Sequence, residues 1–229
     1  MPTVTFLQLR QWAAQRAGFE NSSFIATQEA KDLCNQSLRA WRDMLIKAKG
    51  DEYFEKTTPY LFNTVSGTQI YALPADFYKL TTVYWNSGDG RFLRIPKYMP
   101  TESEDFYTSQ GWTAYSYYGG NLGNVNVKYR LQGTNIRFVP VPLGVYAMKV
   151  NYIPDLTDLV NDADTIEMYG EQAWVTHDLA GEYLAKQESD PGAQWAKRDK
   201  EEARIMNMAE RDQGDPPKIQ DVRQDPWGW

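Results

Sequence analysis

The sequence has one cysteine, Cys34, and one histidine, His177, in 229 residues. One thiol excludes an internal disulfide and a cysteine-based zinc cluster. No window of about 18 apolar residues is present, so no membrane-spanning helix and no membrane partner are expected. The opening stretch, MPTVTFLQLRQWAAQRAG, lacks the basic-then-apolar order of a signal peptide. A soluble product made in a cytoplasm is the expectation. There is no G-x-x-x-x-G-K-[ST] loop, no G-x-G-x-x-G after a strand, no G-x-S-x-G and no H-E-x-x-H. An excess of positive charge is missing too, since the formal net charge is −6. That argues against an ordinary duplex-DNA binder, which needs Lys and Arg against the phosphates.

What is present is aromatic. Phe, Trp and Tyr make up 14% of the chain, with 15 Tyr and 8 Trp. Tyr and Trp suit surfaces that are half apolar and half wet, such as protein interfaces or carbohydrate-binding faces. Charge is unevenly placed. Residues 1–50 hold seven Lys/Arg against four Asp/Glu, a net of +3. Residues 151–190 hold ten Asp/Glu against one Lys, a net of −9, which predicts a negative face.

The pattern along the chain changes period twice. Residues 5–17 read as a short helix with Thr5 as N-cap and Gly18 as its stop. A longer helix follows, with Thr27 as its expected cap and Gly50 at its end. Its Ala30, Leu33, Cys34, Ser37, Leu38, Trp41, Leu45 and Ala48 recur at helical spacing. From Thr57 to about Ile153 short alternating runs are broken by Gly, Pro and Asn. YLFNTV and TQIYAL flank Ser66-Gly67 as an expected hairpin. KLTTVYW and RFLRIP flank 86–90 as a second, and strands on either side of residues 132–135 make a third. YAMKVNYIP is the last expected strand. About six strands in a meander predict a small antiparallel β sandwich or barrel. Helical spacing returns near Glu167, with Ala173, Trp174, His177, Ala180, Gly181 and Leu184 on one face up to Lys186. Asp190-Pro191 opens a fourth helix that runs to about Arg211, with Trp195, Ile205, Met206 and Ala209 available for burial. The remainder is broken by Gly214, Pro216, Pro217 and Pro226, so an extended segment is expected. The fold class is therefore α+β. A helical bundle domain is expected over 1–55 and 160–212, an inserted β domain over 56–159, and an extended docking tail over 213–229.

Chemistry-bearing residues have plain structural readings. His177 sits on the apolar stripe of its helix, and neighbouring Asp178 points about 100° away, so the two do not form a catalytic pair. Cys34 lies on an apolar stripe and acts as a small hydrophobe. Asp155, Asp158, Asp162 and Asp164 lack the order and terminal Glu of an EF-hand loop; a solvated acidic loop before a helix N-terminus is the simpler reading. Gly119-Gly120-Asn121-Leu122-Gly123 is followed by no Lys and no helix, and reads as a loop tip. No catalytic residue, cofactor or metal is assigned, and the chain is not expected to be an enzyme. Phe106, Tyr107, Trp112, Tyr115, Tyr117 and Tyr118 are too many rings in too few residues to be all core. They predict a contact surface on the β domain, for a neighbouring subunit or for a sugar. In the tail, Pro216, Pro217, Ile219, Val222, Pro226, Trp227 and Trp229 suit docking into a partner's groove or onto its sheet edge.

Three stretches carry a resemblance. Asn35-Gln-Ser-Leu-Arg-Ala-Trp-Arg-Asp-Met-Leu45, Gly50-Asp-Glu-Tyr-Phe54 and Ser66-Gly-Thr-Gln-Ile-Tyr-Ala-Leu-Pro-Ala-Asp-Phe-Tyr-Lys-Leu80 resemble head-to-tail adaptor (connector) proteins of short-tailed bacteriophages. The match is good over residues 30–85, and beyond it the layout alone agrees. The resemblance implies a structural protein of the virion neck, made in the host cytoplasm. It implies a homo-oligomeric ring of twelve subunits beneath the portal protein, with tail nozzle or fibre proteins attached. DNA would pass through the ring without specific binding, repelled by an acidic wall. Asp155, Asp158, Asp162, Asp164, Glu167 and Glu171 are the candidates for that wall. A carbohydrate- or receptor-binding module of the virion is the alternative, resting on the aromatic run.

Overall fold

A computed structural model describes residues 3–20, 24–86, 91–99, 114–116, 122–125 and 127–212. The chain is α+β and divides into two compact units, Met1–Gly50 with Thr157–Trp229, and Asp51–Leu156. The net charge separates with them. By sequence the second unit carries nine Lys/Arg and nine Asp/Glu, so the whole excess of −6 belongs to the first.

In the first unit, strand β1 (Thr3–Thr5) runs straight into helix α1 (Phe6–Ala17). The helix starts at Thr5 because a capping box satisfies both ends of the turn. Thr5 Oγ1 accepts from the Gln8 N–H at 3.1 Å, and Gln8 Oε1 accepts from the Thr5 N–H at 3.0 Å. It stops at Gly18, whose φ of 77° is the left-handed conformation that glycine adopts without strain. Helix α2 (Thr27–Lys49) corrects the expected cap. Ala26 holds the extended cap position and makes no side-chain cap bond, while Thr27 is already helical. Glu29 in the first turn supplies negative charge to the helix N-terminus instead.

Helix α3 (Gln172–Lys186) packs against α1, α2 and the final helix α4 (Gly192–Asp212). The single stripe expected for it is too narrow. Val175, Thr176, Asp178, Leu179 and Tyr183 are buried as well as Trp174, Ala180 and Gly181. Ala173, His177 and Leu184 are only half-buried. A helix with neighbours on three sides buries more than one face, which a one-face template misses. Phe6, Leu9 and Ala13 of α1, Cys34, Leu38 and Leu45 of α2, and Ile205 and Ala209 of α4 complete this core. Gly181 of α3 packs against the Trp195 indole of α4, with which any Cβ would collide. At the start of α4, Asp190 Oδ1 accepts the Gly192 N–H at 2.8 Å, and the helix begins at Gly192, one residue after the Pro191 expected to open it.

β1 pairs antiparallel with the short strand β11 (Thr165–Glu167), with Val4 opposite Ile166. Neither strand was expected, because three residues are too few to display a period. The strand at 147–154 is therefore not the last.

The second unit opens with a 3₁₀ turn at Asp51–Phe54 and holds β2 to β10. The strands are β2 (Tyr60–Asn63), β3 (Ile70–Ala72), β4 (Phe77–Asn86), β5 (Phe92–Arg94), β6 (Ala114–Ser116), β7 (Leu122–Val125), β8 (Lys128–Gln132), β9 (Asn135–Val139) and β10 (Ala147–Pro154). Their order is β2-β10-β4-β5 in one sheet and β3-β9-β8 in another, with β6 and β7 as a separate pair. This is not a meander. β10 lies between β2 and β4, so the last strand of the unit enters the middle of the first sheet.

The β4–β5 and β8–β9 hairpins stand where expected. The second turns tightly at Gly133, whose φ of 60° a side chain would strain. The hairpin expected at Ser66-Gly67 is not one. The chain does turn there, but β2 pairs with β10 and β3 with β9, so the turn links two sheets. Residues 100–111, read as a loop or helical turn, lie outside the described residues, as do 119–121 of the glycine-rich loop; its Leu122 and Gly123, expected at a loop tip, belong to β7 instead.

Val83, Trp85, Met148 and Val150 of the first sheet meet Ile136, Phe138 and Tyr129 of the second in one core. Tyr60, Phe62, Tyr71 and Phe138 stack beside it, with successive ring centroids 5.2–5.8 Å apart.

Candidate assembly interface

The acidic segment after residue 155 is largely tied to the basic N-terminal helices. Asp158 pairs with Arg39 of α2 at 2.8 Å. Asp162 pairs with Arg10 of α1, and Lys31 stands 3.6 Å from the same oxygen. Asn35 holds the loop main chain between them, donating to Leu159 O and accepting its N–H, each at 3.0 Å. Lys31 also donates to Val160 O at 2.7 Å. The uneven charge of the sequence is thus a set of contacts inside one unit. Asp164 does local work. Its carboxylate accepts the N–H groups of Asn161 and Val160, which hold its pKa below the usual range. Glu171 is 4% exposed and meets Lys49 at 3.1 Å. Glu167 lies exposed on β11, and Asp155 falls in the other unit, where its Oδ1 accepts the Leu156 N–H. The six candidate carboxylates therefore do not form one cluster. Among the described residues no three metal-binding side chains converge.

His177 donates from Nδ1 to Gln194 Oε1 at 2.9 Å, and Gln194 Nε2 donates to the Arg16 carbonyl at 2.8 Å. This relay ties α1, α3 and α4 together. Burial pushes the imidazole pKa down, while the Gln194 bond opposes it. Asp178 turns away and binds Arg198 at 3.0 Å. Cys34 is fully buried, and desolvation pushes its thiol up to about 12. A cleft of about 200 Å³ beside α1 is lined by Leu7, Arg10, Phe19, Ile25 and Tyr183 among others. Its buried tyrosine is pushed up by desolvation and its arginine is committed to Asp162.

In the β unit, Lys56 Nζ lies 2.7 Å from Asp76 and 3.0 Å from the Tyr152 hydroxyl, which itself donates to Asp76 at 2.9 Å. The bond to Asp76 raises the lysine pKa, and the lysine in turn lowers that of Asp76. Asp155 N–H also reaches the Asp76 carbonyl. The triad fastens the two ends of the unit to each other and is a clamp.

Of the expected aromatic surface, Tyr115 lies on β6. Phe106, Tyr107, Trp112, Tyr117 and Tyr118 fall outside the described residues, as do Pro216, Pro217, Ile219, Val222, Pro226, Trp227 and Trp229.

A surface the sequence reading missed lies where the 64–67 turn meets the 140–146 loop. Thr64 N–H donates to Tyr146 O at 2.9 Å, and Thr64 Oγ1 donates to Gly144 O at 2.9 Å and accepts Tyr146 N–H at 2.8 Å. Ser66 Oγ and Gly67 N–H reach Leu143 O and Pro142 O. Five hydrogen bonds fix two loops that present apolar side chains to solvent. Val65, Leu143 and Val145 are 57%, 69% and 72% exposed, and Leu61 on β2 is 63% exposed. The signal in sequence was the run Val-Pro-Leu-Gly-Val over 141–145, a loop without a polar side chain.

Among the described residues the His177–Gln194 relay, the Asp178–Arg198 pair and the Lys56–Asp76–Tyr152 triad each hold one element to another, while loops fixed by hydrogen bonds offer aliphatic surface outward. Comparison with protein families is specific: residues 4–221 match the family model of the SU10 adaptor protein. The chain belongs to that family, whose members are structural adaptor proteins of bacteriophages. A search of curated proteins finds no match.

Proposed function

We propose that the chain is the subunit of a head-to-tail adaptor ring in the neck of a bacteriophage virion. Twelve copies surround the DNA channel beneath the portal protein. The helices form a bundle that builds the ring. The β unit, a sandwich-like lobe inserted into that bundle, points toward tail nozzle or fibre proteins. Residues 213–229, with Trp227 and Trp229, dock on the portal or on a neighbouring copy. The observation that carries this reading is the family match over 4–221.

The charge distribution supports a non-sticking channel. All of the net −6 lies on the helical unit by sequence. Three of the six wall candidates, Asp158, Asp162 and Glu171, have cationic partners. The repulsion of DNA therefore rests mainly on Asp164, Glu167 and the remaining acidic excess, with Asp155 contributing from the other unit. In an assembled ring these carboxylates face the bore; finding them all on the outer wall rejects this part.

The test of the whole reading is electron microscopy of the purified chain mixed with the portal protein of the same phage. Rings of adaptor on one face of the portal are expected. A chain that stays monomeric and leaves the portal bare overturns the proposal.

A further inference from the structure

Gln194 fixes which protonation state of His177 the fold uses. Its Nε2 donates to the Arg16 carbonyl, which can only accept, so its Oε1 is the atom turned to the imidazole. His177 Nδ1 must then carry the proton that bridges the 2.9 Å gap. One proton is enough for the relay across α1, α3 and α4, and the neutral ring supplies it. The other ring nitrogen, Nε2, has no protein acceptor among the described residues.

The charges around the ring oppose a second proton. α1 brings Arg16, whose carbonyl ends the relay and whose guanidinium reaches the Ala173 carbonyl, one turn before His177, at 3.3 Å. α4 brings Lys197, on the turn after Gln194. Glu201, one turn further along α4, is the acid that would favour an imidazolium, but it pairs with Arg204 at 2.7 Å. On α3 itself, Asp178 is bound to Arg198 at 3.0 Å. The ring is half-buried, which also disfavours its charged form. Two cations and two committed acids therefore surround a partly desolvated imidazole where three helices join.

We infer that this joint is acid-sensitive: α1, α3 and α4 hold together around a neutral imidazole and loosen when a proton enters at Nε2. Histidine alone among side chains changes charge near neutrality at its ordinary pKa, and this chain has one. Burial, with Arg16 and Lys197, holds that pKa below the ordinary 6.5, against the Gln194 bond and Glu201. A lowered pKa gives stability that is whole above the unfolded value and is lost as pH falls through the folded one. The window thus opens at 6.5 and runs downward. The β unit contains no histidine, so mild acid acts first on the helical unit. The joint lies within that unit and can be tested without portal or tail.

The test is proton NMR of the full chain. A single histidine gives a single imidazole Cε1–H resonance, which is titrated in buffer and again in urea. The folded midpoint is expected below the one in urea; a folded midpoint at or above it overturns the inference. Stability is read in parallel by urea unfolding, followed at the helical circular-dichroism band. From about pH 7.5 to about pH 5.5 the unfolding constant of the wild-type chain rises about threefold more than that of His177→Asn. The asparagine amide keeps a donor for Gln194 and cannot titrate. Loss of a merely structural histidine would instead weaken the chain equally at both pH values. Glu182, raised by burial and by Asp178, contributes alike to both chains. Equal pH dependence in the two chains also overturns the inference. Should His177→Asn fail to fold, the titration of the wild-type chain decides by itself.

Discussion

Glu171 and Lys49 meet at 3.1 Å across the junction of two helices, one ending and one beginning. Lys49 is the last residue of α2 and Glu171 the residue before α3. Each charge therefore also sits at the helix terminus that favours its sign. The second carboxylate oxygen of Glu171 accepts the Tyr169 N–H, so both oxygens are used. Replacing one partner leaves the other poorly solvated.

Glu171→Ala is accordingly expected to lower unfolding free energy by about 2–3 kcal/mol. Glu171→Gln, which keeps an acceptor for Tyr169, loses less. Urea denaturation of the purified variants measures both. A loss below about 0.5 kcal/mol for the alanine variant, the range of ordinary surface changes, contradicts the burial argument.

Cys34 provides a pH test. Its thiol is raised from 9.0 to about 12 by desolvation, so the folded chain favours the protonated form. A raised pKa gives stability that is whole below the unfolded value and is lost as pH climbs toward the folded one. The window is therefore about pH 9 to 12. In native protein at pH 8 the thiol remains unmodified by a soluble disulfide reagent, and in denaturant it reacts fully. Rapid native labelling contradicts the placement of Cys34 in the core.

The contact between Gly181 and Trp195 predicts a compensating pair. Gly181→Ala forces the indole off α3 and costs about 1–3 kcal/mol, although alanine is the better helix former. Trp195→Leu makes room. The double variant is expected to recover part of the cost of Gly181→Ala in the Trp195→Leu background, as a double-mutant cycle reads directly. Strict additivity rejects the contact.

Local chemistry was legible where one short segment decides its own conformation. Thr5 with Gln8 starts α1, Gly18 stops it, and Gly133 turns the β8–β9 hairpin, each within four residues of chain. The hairpin at Ser66-Gly67 misled for the same reason. A turn residue announces a turn, but which strands pair beyond it is a matter of who else is available. β10, 80 or more residues later, was the better partner for β2. The narrow stripe expected on α3 failed because burial depends on how many neighbours a helix has.

By itself the sequence determined that helical segments flank a strand-rich middle, that no catalytic motif is present, and that three stretches resemble phage adaptors. Those properties follow from period, spacing and residue type, which act over a few bonds. Tertiary structure alone decided that Asp158 and Asp162 neutralise Arg39, Arg10 and Lys31. It also placed Leu61, Val65, Leu143 and Val145 around one open strand edge. Such partnerships are set by the closing of long loops, where the energy lies between residues far apart in the chain.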